Sequence, residues 1–134
     1  MPASKYNFSI EKGTSFKFAL THKEQDGTII DLSNWCARLV WITDEGVTQT
    51  FLTTNTDYSV YKFTLDGPNG KLLLLLPANT TNSFYFQNAK YDLELQSPDD
   101  LYAGGGKYTI RLLSGAITIV PRNSESDSPF SCAT

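Results

Sequence analysis

Asp92 and Glu94 stand two residues apart in the run Lys90–Gln96, where polar and apolar residues alternate. Two carboxylates suit acid–base hydrolysis when they flank a cleft from facing elements. Two on one face of one strand instead make a solvent-facing pair, with Arg38 or Arg111 on neighbouring strands as natural counter-ions. The single histidine, His22, lies in Thr21-His22-Lys23-Glu24, leading into a turn. No Gly-x-Ser-x-Gly elbow accompanies it, so an exposed turn histidine is expected rather than a member of a triad. Gly104-Gly105-Gly106-Lys107 lacks the spacing of a phosphate loop and precedes a strand pattern, not a helix. It reads as a loop between strands.

Cys36 and Cys132 are the two cysteines, too few for a disulfide framework or a four-cysteine zinc site. Met1–Ile10 holds no apolar stretch typical of a secretory leader, so two free thiols are expected rather than a bridge. By the same argument Asn7-Phe8-Ser9 and Asn79-Thr80-Thr81 carry no weight as glycosylation sites. No cofactor or metal is expected.

Aromatic residues make up 13% of the chain. Trp35, Trp41, Tyr58, Tyr61, Phe84, Tyr85, Phe86, Tyr91, Tyr102 and Tyr108 could include a platform for stacking sugars. Alternation turns most of these rings inward, which favours core packing and protein contacts instead.

The elements that would hold these side chains have period two. Tyr6, Phe8 and Ile10 alternate with polar residues, as do Phe16, Phe18 and Leu20. Trp35–Thr43 is the strongest strand, with Trp35, Ala37, Leu39 and Trp41 on one face and Cys36, Arg38, Val40 and Ile42 on the other. Strands are also expected over Val47–Leu52, Tyr58–Leu65, Leu72–Leu76, Tyr91–Leu95, Tyr108–Leu113 and Ala116–Val120, with Gly115 breaking the last pair apart. Asp26-Gly27, Ser33-Asn34, Asp44-Glu45-Gly46 and Asp66–Gly70 mark turns, and Pro98–Gly106 a loop. Pro77–Phe84 supports one helical turn.

At 134 residues the chain is expected to form one domain. With 40% hydrophobic and 19% charged residues it can bury a core without staples. The longest apolar run, Leu72–Leu76, falls far short of the roughly 18 residues of a membrane-spanning helix. A net charge of -3 speaks against nucleic-acid binding. The expected fold is an all-β antiparallel sandwich of about eight strands with at most one short helical turn. Residues 1–5 are expected to form an N-terminal arm, 6–121 the sandwich and 122–134 a tail.

Several strings, in order, resemble a known module. They are Gly13-Thr14-Ser15-Phe16, Asp26-Gly27-Thr28-Ile29-Ile30-Asp31-Leu32, Cys36-Ala37-Arg38-Leu39, Gly70-Lys71-Leu72 running to Pro77, Lys90-Tyr91-Asp92-Leu93-Glu94-Leu95, and Leu112-Leu113-Ser114-Gly115-Ala116-Ile117-Thr118-Ile119. Together they resemble the immunoglobulin-like β-sandwich domain of tailed-bacteriophage tail and baseplate proteins, including the N-terminal domain of baseplate upper proteins. The resemblance spans residues 6–121. It implies a virion location and a structural role without catalysis, as an adaptor of the tail, baseplate or collar. A capsid decoration protein, or a carbohydrate- or receptor-binding module of a fibre, is the alternative. The implied partners are other virion proteins and, in a homo-oligomer, copies of the chain itself, with neither nucleic acid nor membrane among them. Sheet edges and terminal arms would make the contacts. The side chains expected to contribute are Trp35, Tyr61, Tyr85, Tyr102, Arg122 and Phe130.

Overall fold

A computed structural model describes residues 4–24, 26–100 and 107–121. The tail and the loop residues 101–106 lie outside that range. Within it the chain forms nine strands and one short helix. The strands are β1 (Ser4–Lys5), β2 (Phe8–Glu11), β3 (Phe16–Thr21), β4 (Cys36–Thr43), β5 (Thr48–Leu52), β6 (Lys62–Asp66), β7 (Lys71–Leu76), β8 (Asn88–Asp100) and β9 (Lys107–Val120). The helix, α1, covers Ala78–Asn82. No described helix is long and apolar enough to cross a membrane.

The strands build two sheets. The larger runs β1-β9-β8-β4-β5, with β2 following β1 along the same side of β9. The smaller runs β3-β7-β6. Alternation sets what each face buries. Ala37, Leu39 and Trp41 of β4 and Tyr91, Leu93 and Leu95 of β8 point into one core. They share it with Leu72, Leu74 and Leu76 of β7 and Phe63 of β6 from the other sheet. The leucine run is thus a strand, but only its even members are fully buried. Leu73 and Leu75 face outward and are half-covered.

Not every pairing is antiparallel. β1 and β2 lie parallel to β9, with Ser4 opposite Leu113 and Ile10 opposite Ile119. The reason is connectivity. β2 turns into β3 of the other sheet, so its in-sheet neighbour arrives only at the end of the domain. No tight hairpin then dictates direction. Ser4 and Lys5, assigned above to an arm, already belong to this edge.

Several boundaries also differ from expectation. β8 continues through Pro98 to Asp100, and β9 runs through Gly115 without a break. The glycine is there for space. A Cβ on Gly115 would overlap the Tyr6 carbonyl oxygen, where β1 passes into β2. Tyr58–Tyr61 are not strand; only Lys62–Asp66 are.

Helix α1 closes one end of the sandwich. Thr81 is fully buried, accepts a hydrogen bond from the Gly13 N–H at 3.0 Å and donates to the Thr14 carbonyl at 2.7 Å. Its neighbour Thr80 donates to the Val60 carbonyl at 2.5 Å. One helical turn thereby fastens two of the four crossings between the sheets, β2 to β3 and β5 to β6.

Candidate functional site

The outer face of the larger sheet gathers the side chains with chemical potential. Register sets them in rows across β5, β4, β8 and β9. Thr48, Ile42, Lys90 and Ala116 form one, and Thr50, Val40, Asp92 and Ser114 the next. Asp92 and Glu94 share this face. Arg38 Nη2 lies 2.6 Å from Glu94 Oε1, and Arg111 Nε lies 3.5 Å from Asp92 Oδ1. These are the counter-ions anticipated from the sequence. Each carboxylate faces a cation from the next strand, with no second carboxylate across a cleft. Such exposed pairs contribute less than about 1 kcal/mol each.

A depression of about 590 Å³ crosses this face, lined by Lys5, Val40, Ile42, Lys90, Asp92 and Gly115, among others. It is open to solvent along its length. Among the described residues no group of three or more His, Cys, Asp or Glu is placed to hold a metal ion. His22 is half-buried rather than exposed, because its backbone continues the β3 ladder. Its N–H donates to the Gly70 carbonyl at 2.8 Å, and its carbonyl accepts from Ile30 N at 3.1 Å. That burial lowers its proton affinity.

Beneath the depression lies Tyr91, buried, with its hydroxyl donating to the Tyr6 carbonyl at 2.6 Å. Burial, and to a smaller extent Tyr6, push its pKa up to about 12. A phenol raised in the folded state contributes stability that is whole below the unfolded value near 10. That contribution is lost as pH climbs through about 12. Urea midpoints measured from pH 9 to 12 are expected to fall more steeply for the wild type than for Tyr91→Phe. Equal slopes would mean that Tyr91 ionises without constraint.

The expected partner contacts divide. Tyr102, Arg122 and Phe130 lie outside the described residues, as does Cys132. Cys36 is a half-buried free thiol on β4. Trp35, at the entrance to β4, is half-buried and meets Tyr108 edge-on at 6.5 Å. Tyr61 is half-buried against Phe51, ring centroids 4.8 Å apart, and its hydroxyl accepts the Leu52 N–H at 3.2 Å. Tyr85 alone of these stands free, 85% exposed between the buried Phe84 and Phe86. The Lys12 ammonium lies 5.4 Å from its ring centroid. Beside it opens a groove of about 450 Å³ whose lining includes Gln87, Asn88 and Thr118. The three side chains therefore do not converge on one site.

The sheet edges were named in the sequence only as a class. The structure separates them. β1 and β2 border the larger sheet on one side and β5 on the other, while β3 and β6 border the smaller. Near the β1–β2 border, Tyr6, Phe8, Phe16 and Phe18 form a chain of rings, with centroid spacings of 5.3 to 6.1 Å. Their alternation was readable from the sequence. That they meet across two sheets was not.

No protein-family model and no curated protein matches this chain.

Proposed function

We propose that this chain is a non-enzymatic structural subunit of a tailed-bacteriophage particle, an adaptor of the tail, baseplate or collar. In this reading the sandwich is immunoglobulin-like, and it joins neighbouring virion proteins through its sheet edges and terminal segments. The observation that carries the reading is the form of the molecule: two stacked sheets with open edge strands and broad, solvent-open depressions. The acid–base side chains of the outer face are held in cross-strand ion pairs. Strand edges offer backbone donors and acceptors to a neighbour, a means of assembly that requires no deep pocket. The ordered strings that resemble tail and baseplate modules suggest the virion context.

The test is location. Mass spectrometry of purified particles should recover the chain in stoichiometric amount. Electron microscopy should then fit the two-sheet domain into tail or baseplate density. Finding the protein only free in the lysate, absent from particles, removes the proposal.

The exposed Tyr85 ring favours a second reading, a carbohydrate- or receptor-binding module. Gln87, Asn88 and Lys12 beside it carry the donors and acceptors that sugars need. A glycan array comparing wild type with Tyr85→Ala decides. No binding at millimolar glycan rejects it.

A further inference from the structure

We infer that the β5 edge is a self-pairing surface, through which two copies of this chain join their larger sheets antiparallel about a two-fold axis at Gln49. The inference stands on the edge geometry and is independent of the virion reading.

The backbone of β5 divides into inward and outward groups. Thr43 N donates to the Val47 carbonyl, and Thr53 N to the Ala37 carbonyl. With Trp41 opposite Gln49 and Leu39 opposite Phe51, the odd-numbered residues of β5 exchange bonds with β4. Thr48, Thr50 and Leu52 therefore turn their N–H and C=O groups away from the sheet. The Leu52 N–H is already taken by the Tyr61 hydroxyl. At the other end the chain turns back through Asp44–Gly46, where Gly46 N donates to Thr43 O. The open ladder is thus limited to Thr48 and Thr50.

Two residues spaced by one form a self-complementary set. A two-fold axis at Gln49 places Thr48 opposite Thr50 of the second copy, and Thr50 opposite its Thr48. Each pair exchanges both of its backbone bonds, and the Tyr61 cap stays in place. Such isologous closure uses the same patch on both copies and stops at two.

Charge selects this edge over the others. The other border strands carry charged residues: Lys5 on β1, Glu11 on β2, Lys17 on β3, and Lys62 and Asp66 on β6. Charges on an edge are a common guard against edge-to-edge pairing. The sequence of β5, Thr-Gln-Thr-Phe-Leu, has no charge and no proline. Thr48 and Thr50 are exposed, so nothing in the described chain covers them.

Sedimentation equilibrium on the full chain, up to about 1 mM, tests this. The wild type should show reversible dimerisation. Thr50→Lys sets a cation beside the axis in each copy. Thr50→Pro deletes an outward donor while leaving the β4 ladder whole. Each should weaken self-association by about ten-fold or more, with the far-UV spectrum unchanged. Gln49→Cys, facing its own copy across the axis, should form a covalent dimer on oxidation. A wild type that stays monomeric throughout overturns the inference and leaves the edge to an extended segment of another protein. Dimers that survive both Thr50 variants overturn it too. Failure of the Gln49→Cys crosslink in a dimer sensitive to Thr50 overturns the register.

Discussion

Trp41→Ala is expected to cost about 3–5 kcal/mol, a large part of the stability of an ordinary domain. The indole is only 1% exposed and touches three rings from two parts of the chain. Its ring centroid lies 4.7 Å from Phe51 on β5, and 5.5 and 5.7 Å from Phe84 and Phe86 after α1. Its Nε1–H donates to Gln49 Oε1 at 2.7 Å. Alanine removes these edge-on and tilted ring contacts and leaves a cavity in the core. Urea unfolding followed by far-UV circular dichroism should show a lower midpoint with unchanged slope. The melting temperature should fall by roughly 10–20 °C. Trp41→Phe keeps a ring but loses the donor, and should cost less than half as much. A Trp41→Ala loss under about 1 kcal/mol would mean that these rings do not form the core.

The second large effect is expected at Gly115. Adding one methyl group forces the added carbon onto the Tyr6 carbonyl oxygen and to 2.8 Å from Asn7 Oδ1. Both are tied down. The carbonyl accepts the Tyr91 hydroxyl, Asn7 Oδ1 accepts the Ala116 N–H, and Tyr6 N donates to the Ser114 carbonyl. Relief of the overlap must lift the β1–β2 crossover off β9 and stretch these bonds together. Gly115→Ala should cost about 2–4 kcal/mol. Hydrogen exchange should report lost protection at the Tyr6 and Ala116 amides. Gly46→Ala makes the comparison. That glycine has φ 85° and open space around it, so only the left-handed backbone is strained, by about 1–2 kcal/mol. Equal effects at the two glycines would mean that the parallel edge is not held against β9.

Much of the local structure was readable. The faces of β4 came directly from Ala37, Leu39 and Trp41 alternating with Arg38 and Ile42. The Asn34 turn sits at φ 66°, in the left-handed region that asparagine tolerates. The short helix falls inside Pro77–Phe84, where no apolar period supports a longer one. Even the counter-ions of Asp92 and Glu94 could be named, because charged residues on one solvent face have few other neighbours. Of the candidate contacts, Tyr61 shows the limit. Its type marked it for an interface, yet its hydroxyl is engaged with Leu52 of its own chain. Nothing near residue 61 in the sequence signals that bond, since it depends on where the β5–β6 crossing brings the ring.

In the strands that alternate, the sequence by itself determined which side chains enter the core; in the unbroken run Leu72–Leu76 the pairing chose the even members. A strand turns each successive residue to the opposite face, so a period-two pattern fixes burial locally. Only the tertiary structure decided which strands became neighbours, which way they ran, and which edges stayed open. Those choices are made by backbone groups common to every residue, and between segments far apart in the chain. β1 and β2 therefore lie parallel to β9 at the other end of the domain. For the same reason β5 is left as an uncharged border with two threonines turned outward.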